Sequence, residues 1–138
     1  MIPWAKLHGA STHFPIVLTL VALACDLAAA IWWNKPPARG LSAAGAGAMG
    51  VAAGGSIVAV VSGLFLVHGA WWGTGALGWH HRLVWPAFAL IVGAATWRWL
   101  SRDRITRAGQ FIYLGVVLVS AGLISGAGYF GGELLLGA

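Results

Sequence analysis

The sequence has few charged residues and a single cysteine. Charged side chains make up 8% of its 138 residues, whereas apolar residues make up 59%. Soluble domains carry roughly a quarter charged residues, so these charges could not cover the surface of a soluble protein. Because Cys25 is the only cysteine, an internal disulfide and a cysteine-rich metal site are both excluded. We therefore expect a membrane protein, with lipid as the solvent for much of its surface.

The sequence also lacks the motifs of several function classes. It contains no phosphate-binding loop, no nucleophile paired with a base and no metalloprotease helix motif. Its basic residues do not form a stripe between aromatic residues, so we predict no nucleic-acid partner. They cluster in two short segments beside apolar runs, which is typical of membrane topology.

Four apolar segments are each long enough to cross a bilayer, which takes about 20 residues. The sequence therefore predicts one four-helix membrane domain over residues 1–138, with helices at about 12–33, 43–68, 80–100 and 106–130. The fold class that we predict is all-α integral membrane, an up-down bundle of four transmembrane helices.

Local signals give the expected helix ends. Ser11 and Thr12 are candidate caps of the first helix, and Asn34-Lys35-Pro36-Pro37 is expected to end it. Loops are expected at 35–42, 69–78 and 101–105, and Gly131-Gly132 is expected to end the fourth helix. Because the first and third loops are short, neighbouring helices must be antiparallel.

The basic residues predict the direction of the bundle. Lys6 and Arg82 fall on the side where the first helix begins, and the other six fall on the opposite side: Lys35, Arg39, Arg98, Arg102, Arg104 and Arg107. Basic residues of short loops stay cytoplasmic. We therefore expect both termini on the periplasmic side of a bacterial inner membrane, in a multi-pass arrangement.

Glycine pairs four residues apart predict close helix packing. Gly50 and Gly54 form one pair in the second helix, and Gly122 and Gly126 form another in the fourth. Such pairs let helix backbones approach closely in lipid. The alternative is that a flat cofactor lies against these glycine faces.

All five histidines fall on one side of the predicted bundle: His8, His13, His68, His80 and His81. Imidazole is a common ligand of haem iron, copper and zinc. Since the first and third helices are diagonal in an up-down bundle, we expect His13 with His81 or His80 to hold one haem b. Successive residues are about 100° apart on a helix, so we expect only one of His80 and His81 to point inward.

The remaining histidines have secondary roles in this interpretation. His68, on an adjacent helix, could replace either haem ligand or bond to a propionate. His8 and Arg82 are candidate propionate partners. If the site holds copper or zinc instead, the expected metal ligands are His13, His68 and His81.

Asp26 lies about halfway along the first predicted helix. Ionisable groups at that depth are costly and tend to mark function. The alternative is a protonated carboxyl that bonds to a neighbouring helix, for example to Ser120.

Two short motifs resemble a known family. The opening His8-(four residues)-His13-Phe14-Pro15-Ile16 and the closing Gly131-Gly132-Glu133-Leu134 resemble a family of bacterial four-helix membrane domains of unknown function. The resemblance covers nearly the whole chain, although Gly9 stands where the family usually has proline. Family members are sometimes fused to Rieske-type or c-type cytochrome domains, which implies a place in electron transfer. By the same resemblance, His8 and His13 match the family's opening pair of histidines, and His81 or His80 matches its third-helix histidine.

These observations lead to a leading hypothesis and a rival. The first is a membrane electron-transfer subunit that binds haem b near the periplasmic face, with a periplasmic cytochrome, a Rieske-type protein or a larger respiratory complex as partner, and with quinone as another candidate. Such a subunit would work within a larger redox complex rather than as an enzyme alone. The rival is a non-redox membrane subunit or anchor, with copper, zinc or no metal bound.

Overall fold

The computed structural model describes residues 3–101 and 104–136. Within these residues the chain forms four α-helices, numbered in chain order: α1 (Trp4–Ile31), α2 (Pro36–Leu66), α3 (Gly75–Ser101) and α4 (Arg107–Leu136). All four are long and apolar enough to cross a membrane. At a rise of about 1.5 Å per residue, each exceeds the hydrocarbon thickness of roughly 30 Å. The predicted all-helical architecture, with four helices long and apolar enough to span a membrane, is confirmed.

Helix α1 begins two turns earlier than the sequence indicates. Ser11 and Thr12 do not cap it, because both lie inside the helix. Their hydroxyls donate to the carbonyls of His8 at 3.1 Å and Gly9 at 3.0 Å, three residues back in each case. The polar residues of this segment are therefore helical, and His8 becomes part of the bundle.

The connection between α1 and α2 is shorter than the predicted loop at 35–42. Asn34 takes a left-handed conformation, with φ of 63°, and Lys35 is extended. Pro36 then occupies the first position of α2, where a missing N–H removes no hydrogen bond. The two prolines thus start the second helix as well as preventing the first from continuing.

The other helix ends also differ from the prediction. Helix α2 stops at Leu66, so His68 lies in the following connection, with φ of 52°. Helix α3 starts at Gly75, five residues before the predicted position. Helix α4 continues through Gly131-Gly132 to Leu136.

The helices form a ring in which consecutive helices pack against each other and α4 packs against α1. Helices α1 and α3 are therefore diagonal, as expected for an up-down bundle. The core between them is built mainly from small and medium side chains, including Ala22, Met49, Ala87, Ile91 and Val117. We call the end where α1 and α3 begin the histidine end, and the opposite end the arginine end.

Glycine does bring helices together, but mostly at positions outside the predicted pairs. Open space surrounds Gly50, Gly54 and Gly122, and only Gly126 of those four lies near another side chain. Helix α2 instead approaches α1 at Gly45, Gly55 and Gly63, where an added Cβ would lie within 3 Å of Asp26, Phe14 and His8, respectively.

Candidate functional site

A cavity of about 70 Å³ lies at the histidine end and is lined by all four helices. Three of the five histidines line it: His8, His80 and His81. Most of its wall is apolar, with contributions from Pro15, Ile16, Val60, Leu64, Val84, Phe88 and Ile124. The structure thus collects imidazoles in a chamber that has few other polar groups.

His8 is held between α1 and α2. Its Nδ1 lies 2.9 Å from the carbonyl oxygen of Ala59 and 3.4 Å from the hydroxyl of Ser62. Because a carbonyl can only accept, the Nδ1–H of His8 must be the donor to Ala59. A Cβ at Gly63 would lie 2.9 Å from Cε1 of His8, so the glycine makes room for the ring.

His80 repeats this arrangement between α3 and α4. Its Nδ1 lies 2.8 Å from the carbonyl oxygen of Ala127 and therefore also donates. Gly131 lies beside the ring, where an added Cβ would be 3.4 Å from Nδ1. Ala127 and Gly131 are four residues apart, as are Ala59 and Gly63. Each helical hairpin thus holds a histidine of its first helix against an alanine carbonyl and a glycine of its second.

The two rings are close together. Their centres are 6.5 Å apart, and their planes are inclined at 77°. Two imidazoles bound to one metal ion from opposite sides have ring centres about 6 Å apart, because each metal–nitrogen bond is about 2 Å long. In a neutral imidazole that donates from Nδ1, the Nε2 keeps its lone pair. His8 and His80 together offer the donor set of a two-imidazole centre.

His81 is the third histidine of the cavity. It is buried, its ring centre is 5.9 Å from that of His80, and its Nδ1 has no partner among the described residues. The expectation that only one of His80 and His81 would point inward is wrong, because both line the cavity. The cavity wall spans enough of α3 to include two successive residues.

Three predicted site residues lie elsewhere. His13 is exposed on α1 and does not line the cavity. His68 is exposed in the connection after α2. Arg82 is exposed and stacks over the ring of Trp79, at 5.0 Å from the ring centre. The cavity therefore brings together His8, His80 and His81, whereas His13, His68 and Arg82 stay outside it.

The size and donor set of the cavity decide what could occupy it. A cavity of about 150 Å³ holds a benzene molecule, so 70 Å³ admits a metal ion with one or two waters but not a porphyrin. Within residues 3–101 and 104–136, no group of three or more histidine, cysteine or acidic side chains is arranged for a metal ion. Two imidazoles suffice for haem iron or a low-coordinate copper ion, whereas a structural zinc site takes four protein ligands. The ligand chemistry therefore fits haem, but the volume of the cavity does not.

A second polar cluster lies at the arginine end and was not predicted. Asp26 of α1 is fully buried and pairs with Arg98 of α3, with Oδ1 at 2.9 Å from the guanidinium nitrogen Nη2. Arg98 also donates to the Gln110 side chain at 3.3 Å and to the Ser42 carbonyl at 3.0 Å. Asp26 therefore does not bond to Ser120, whose hydroxyl donates to Val116. The cluster joins all four helices.

Comparison with known proteins gives one match. The model of a family described as predicted membrane protein (DUF2231) matches residues 5–137. No curated protein and no solved structure matches. The match covers nearly the whole chain and agrees with the expected membrane domain of unknown function.

Proposed function

The chain belongs to this family of membrane proteins, and from that premise we propose that it is an electron-transfer subunit with a transition-metal centre held by His8 and His80. The observation that carries the proposal is the matching pair of Nδ1 hydrogen bonds, to the carbonyls of Ala59 and Ala127. Metal-bound histidines almost always donate their other ring N–H to a carboxylate, a carbonyl or water. The same hydrogen bond at Nδ1 in both rings supports the proposal, because it leaves Nε2 as the atom that could bind a metal.

Copper is the bare ion that this site suits best. Imidazole is a good copper ligand, and two histidines with His81 beside them supply nitrogen donors alone. A bound copper ion or haem iron would supply one-electron transfer. The chain itself would supply the ligands, hold their tautomer through the carbonyls of Ala59 and Ala127, and surround them with mostly apolar side chains. The haem b that the sequence favours would use the same two histidines as ligands. Because haem is larger than a bare ion, its binding would require the helices at the histidine end to move apart.

The position of the site also supports a role in electron exchange. His8 lies in the second turn of α1 and His80 in the second turn of α3, close to where each helix enters the membrane. A centre there would be within reach of a water-soluble partner, such as a periplasmic cytochrome or a Rieske-type protein, or of a larger respiratory complex with quinone as substrate. The excess of basic residues at the other end predicts that the histidine end faces the periplasm of a bacterial inner membrane.

The test is metal analysis of protein purified in detergent after expression with copper and haem supplied. We expect about one copper or one haem iron per chain, with a redox-dependent absorbance or electron paramagnetic resonance signal. His8→Ala and His80→Ala should each lower metal retention by at least tenfold, since even a residue that only hydrogen-bonds to a metal ligand is worth about 10–100-fold in affinity. His13→Ala and His68→Ala are matched controls and should retain the metal.

The possible results separate the hypotheses. A reduced-minus-oxidised absorbance band of b haem that is lost in the His8→Ala and His80→Ala variants would show that the bound group is haem. A copper signal that is lost in the same two variants would show that it is a copper ion. Zinc alone would rule out electron transfer and favour the non-redox subunit. Protein without any of these metals, or equal loss in the His13→Ala variant, would refute the proposed centre.

A further inference from the structure

A wide cleft opens at the arginine end, on the side opposite to the histidine cavity. It has a volume of about 1610 Å³ and lies between the α1–α2 connection, α2, α3 and the start of α4. We call it the arginine-end cleft and define it by Trp33, Lys35, Arg39, Gly50, Ala95 and Trp99. Electron transfer at the histidine end makes no use of this cleft, so the role of the cleft is independent of the metal centre.

The mouth of the cleft is basic. Lys35 and Arg39 line it and are exposed, while Arg98 lies buried at its inner wall with its charge paired to Asp26. Among the described residues that line the cleft, none is acidic. Lys35 and Arg39 thus present two positive charges to whatever enters the mouth.

The cleft has an apolar strip along α2 and α3, beside the polar side chains of Ser42, Thr96, Arg98 and Gln110. Ala43, Ala46 and Gly50 line it from α2, and Ala95 lines it from α3. These side chains are small, and open space surrounds the position that a Cβ of Gly50 would take. From Lys35 to Gly50 the groove follows α2 for roughly 20 Å, which is long enough for much of an acyl chain.

The aromatic residues place the mouth at the membrane surface. Trp33 and Trp99 line the cleft beside Asn34 and Lys35. Tryptophan is enriched at the level of the lipid headgroups, where its ring is apolar and its N–H is polar. The cleft therefore has a cationic mouth at headgroup depth and an apolar groove that runs into the bilayer.

We infer that the arginine-end cleft binds an anionic phospholipid, with the phosphate at Lys35 and Arg39 and an acyl chain along Ala43, Ala46 and Gly50. Basic pockets between transmembrane helices bind acidic headgroups in this way. A lipid at this position would also fill the gap that separates α2 from α3 at this end.

The experiment measures lipid binding by the detergent-purified chain with native mass spectrometry, using phosphatidylglycerol and phosphatidylcholine of equal chain length. We expect the wild type to prefer phosphatidylglycerol by at least tenfold. The double variant Lys35→Gln/Arg39→Gln should reduce that preference to twofold or less. Arg104→Gln removes an exposed charge at the same end that does not line the cleft, and it should leave the preference within twofold of wild type.

A second pair of variants tests the acyl groove without changing charge. Gly50 and Gly54 both have open space for a side chain, but only Gly50 lines the cleft. Gly50→Leu should weaken phosphatidylglycerol binding by fivefold or more, and Gly54→Leu should not.

Three results would overturn the inference. The first is equal loss of binding in the Arg104→Gln variant and the cleft double variant, which would indicate diffuse charge attraction. The second is displacement of the lipid by an equal concentration of glycerol phosphate, which would identify a site for a soluble phosphate. The third is a wild type that shows no preference for the anionic lipid.

Discussion

The ring centres of His8 and His80 lie 6.5 Å apart, and each ring donates its Nδ1–H to an alanine carbonyl of the next helix. The two histidines come from different hairpins, α1–α2 and α3–α4, that hold their rings in the same manner. Since the first helices of the two hairpins, α1 and α3, begin at the same end of the bundle, the two histidine rings lie at that end together. This repetition explains how a chain with few polar residues obtains two neighbouring imidazoles.

The first prediction concerns the tautomers of these rings. In metal-free protein at neutral pH, His8 and His80 should be protonated at Nδ1, because the carbonyls of Ala59 and Ala127 accept from that atom. His13 and His68 are exposed and serve as internal controls with mixed tautomers. Nitrogen-15 chemical shifts of the labelled imidazoles distinguish the forms. Protonation of His8 and His80 at Nε2 alone would contradict the arrangement.

The second prediction compares the two glycines beside these rings. A Cβ at Gly63 would lie 2.9 Å from the His8 ring, whereas one at Gly131 would lie at an ordinary 3.4 Å from the His80 ring. Gly63→Ala should therefore displace His8 and lower the free energy of unfolding by about 1–3 kcal/mol, as overpacking does. Gly131→Ala should cost less than about 1 kcal/mol.

Unfolding in detergent, followed by circular dichroism, gives both values. The nitrogen-15 spectrum provides an independent readout, since only Gly63→Ala should move the His8 resonances. If the two alanine variants were equally stable and left both rings unperturbed, the close approach of α2 to His8 would be refuted.

The apolar runs of the sequence are sufficient to predict four helices, but not their ends. Apolar content stops where a helix leaves the lipid, whereas the helix itself continues as long as its backbone bonds are satisfied. Segment 4–11 contains Lys6 and His8 and lies outside the first predicted helix, although it is helical. Pro36 and Pro37 indicate the end of one helix in the sequence, yet they also fit the first turn of α2.

The choice of histidine depends on a signal that the prediction does not use. In α1 the buried face carries Ser11, Thr19 and Asp26, at intervals of seven or eight residues, and His8 lies near the start of that series. His13 lies instead on a face with Phe14 and Val17, which are exposed. In lipid the small and polar residues of a helix turn toward its neighbours, so this periodicity could have identified His8.

The role of Arg98 is hidden in the sequence for a related reason. In the topology prediction Arg98 is one of six basic residues near the loops at one end, and no neighbouring residue in the sequence distinguishes it from the other five. In the structure it shares the buried face of α3 with His81, Ile91 and Ala94. Its partner is 72 residues away in the chain, at Asp26, so only the arrangement of the helices around one core brings the charges together.

The third prediction concerns that ion pair, whose side chains are 6% and 0% exposed at Arg98 and Asp26, respectively. Arg98→Met would leave the Asp26 carboxylate buried without its cation, and Asp26→Asn would leave the guanidinium without its anion. Each single variant should lower the free energy of unfolding by about 3–5 kcal/mol, the usual cost of breaking a buried pair from one side.

The double variant Asp26→Asn/Arg98→Met carries neither charge and should be more stable than either single variant, since a buried pair replaced on both sides is often close to neutral. Asparagine suits this test because a Cβ at Gly45 would lie 2.8 Å from the carboxyl, so position 26 has no room for a larger side chain. Arg104→Met removes an exposed charge at the same end and should change stability by less than about 0.5 kcal/mol. Unfolding of the wild type, the two single variants and the double variant in one detergent gives the coupling energy. Additive losses in the double variant would show that Asp26 and Arg98 do not stabilise each other.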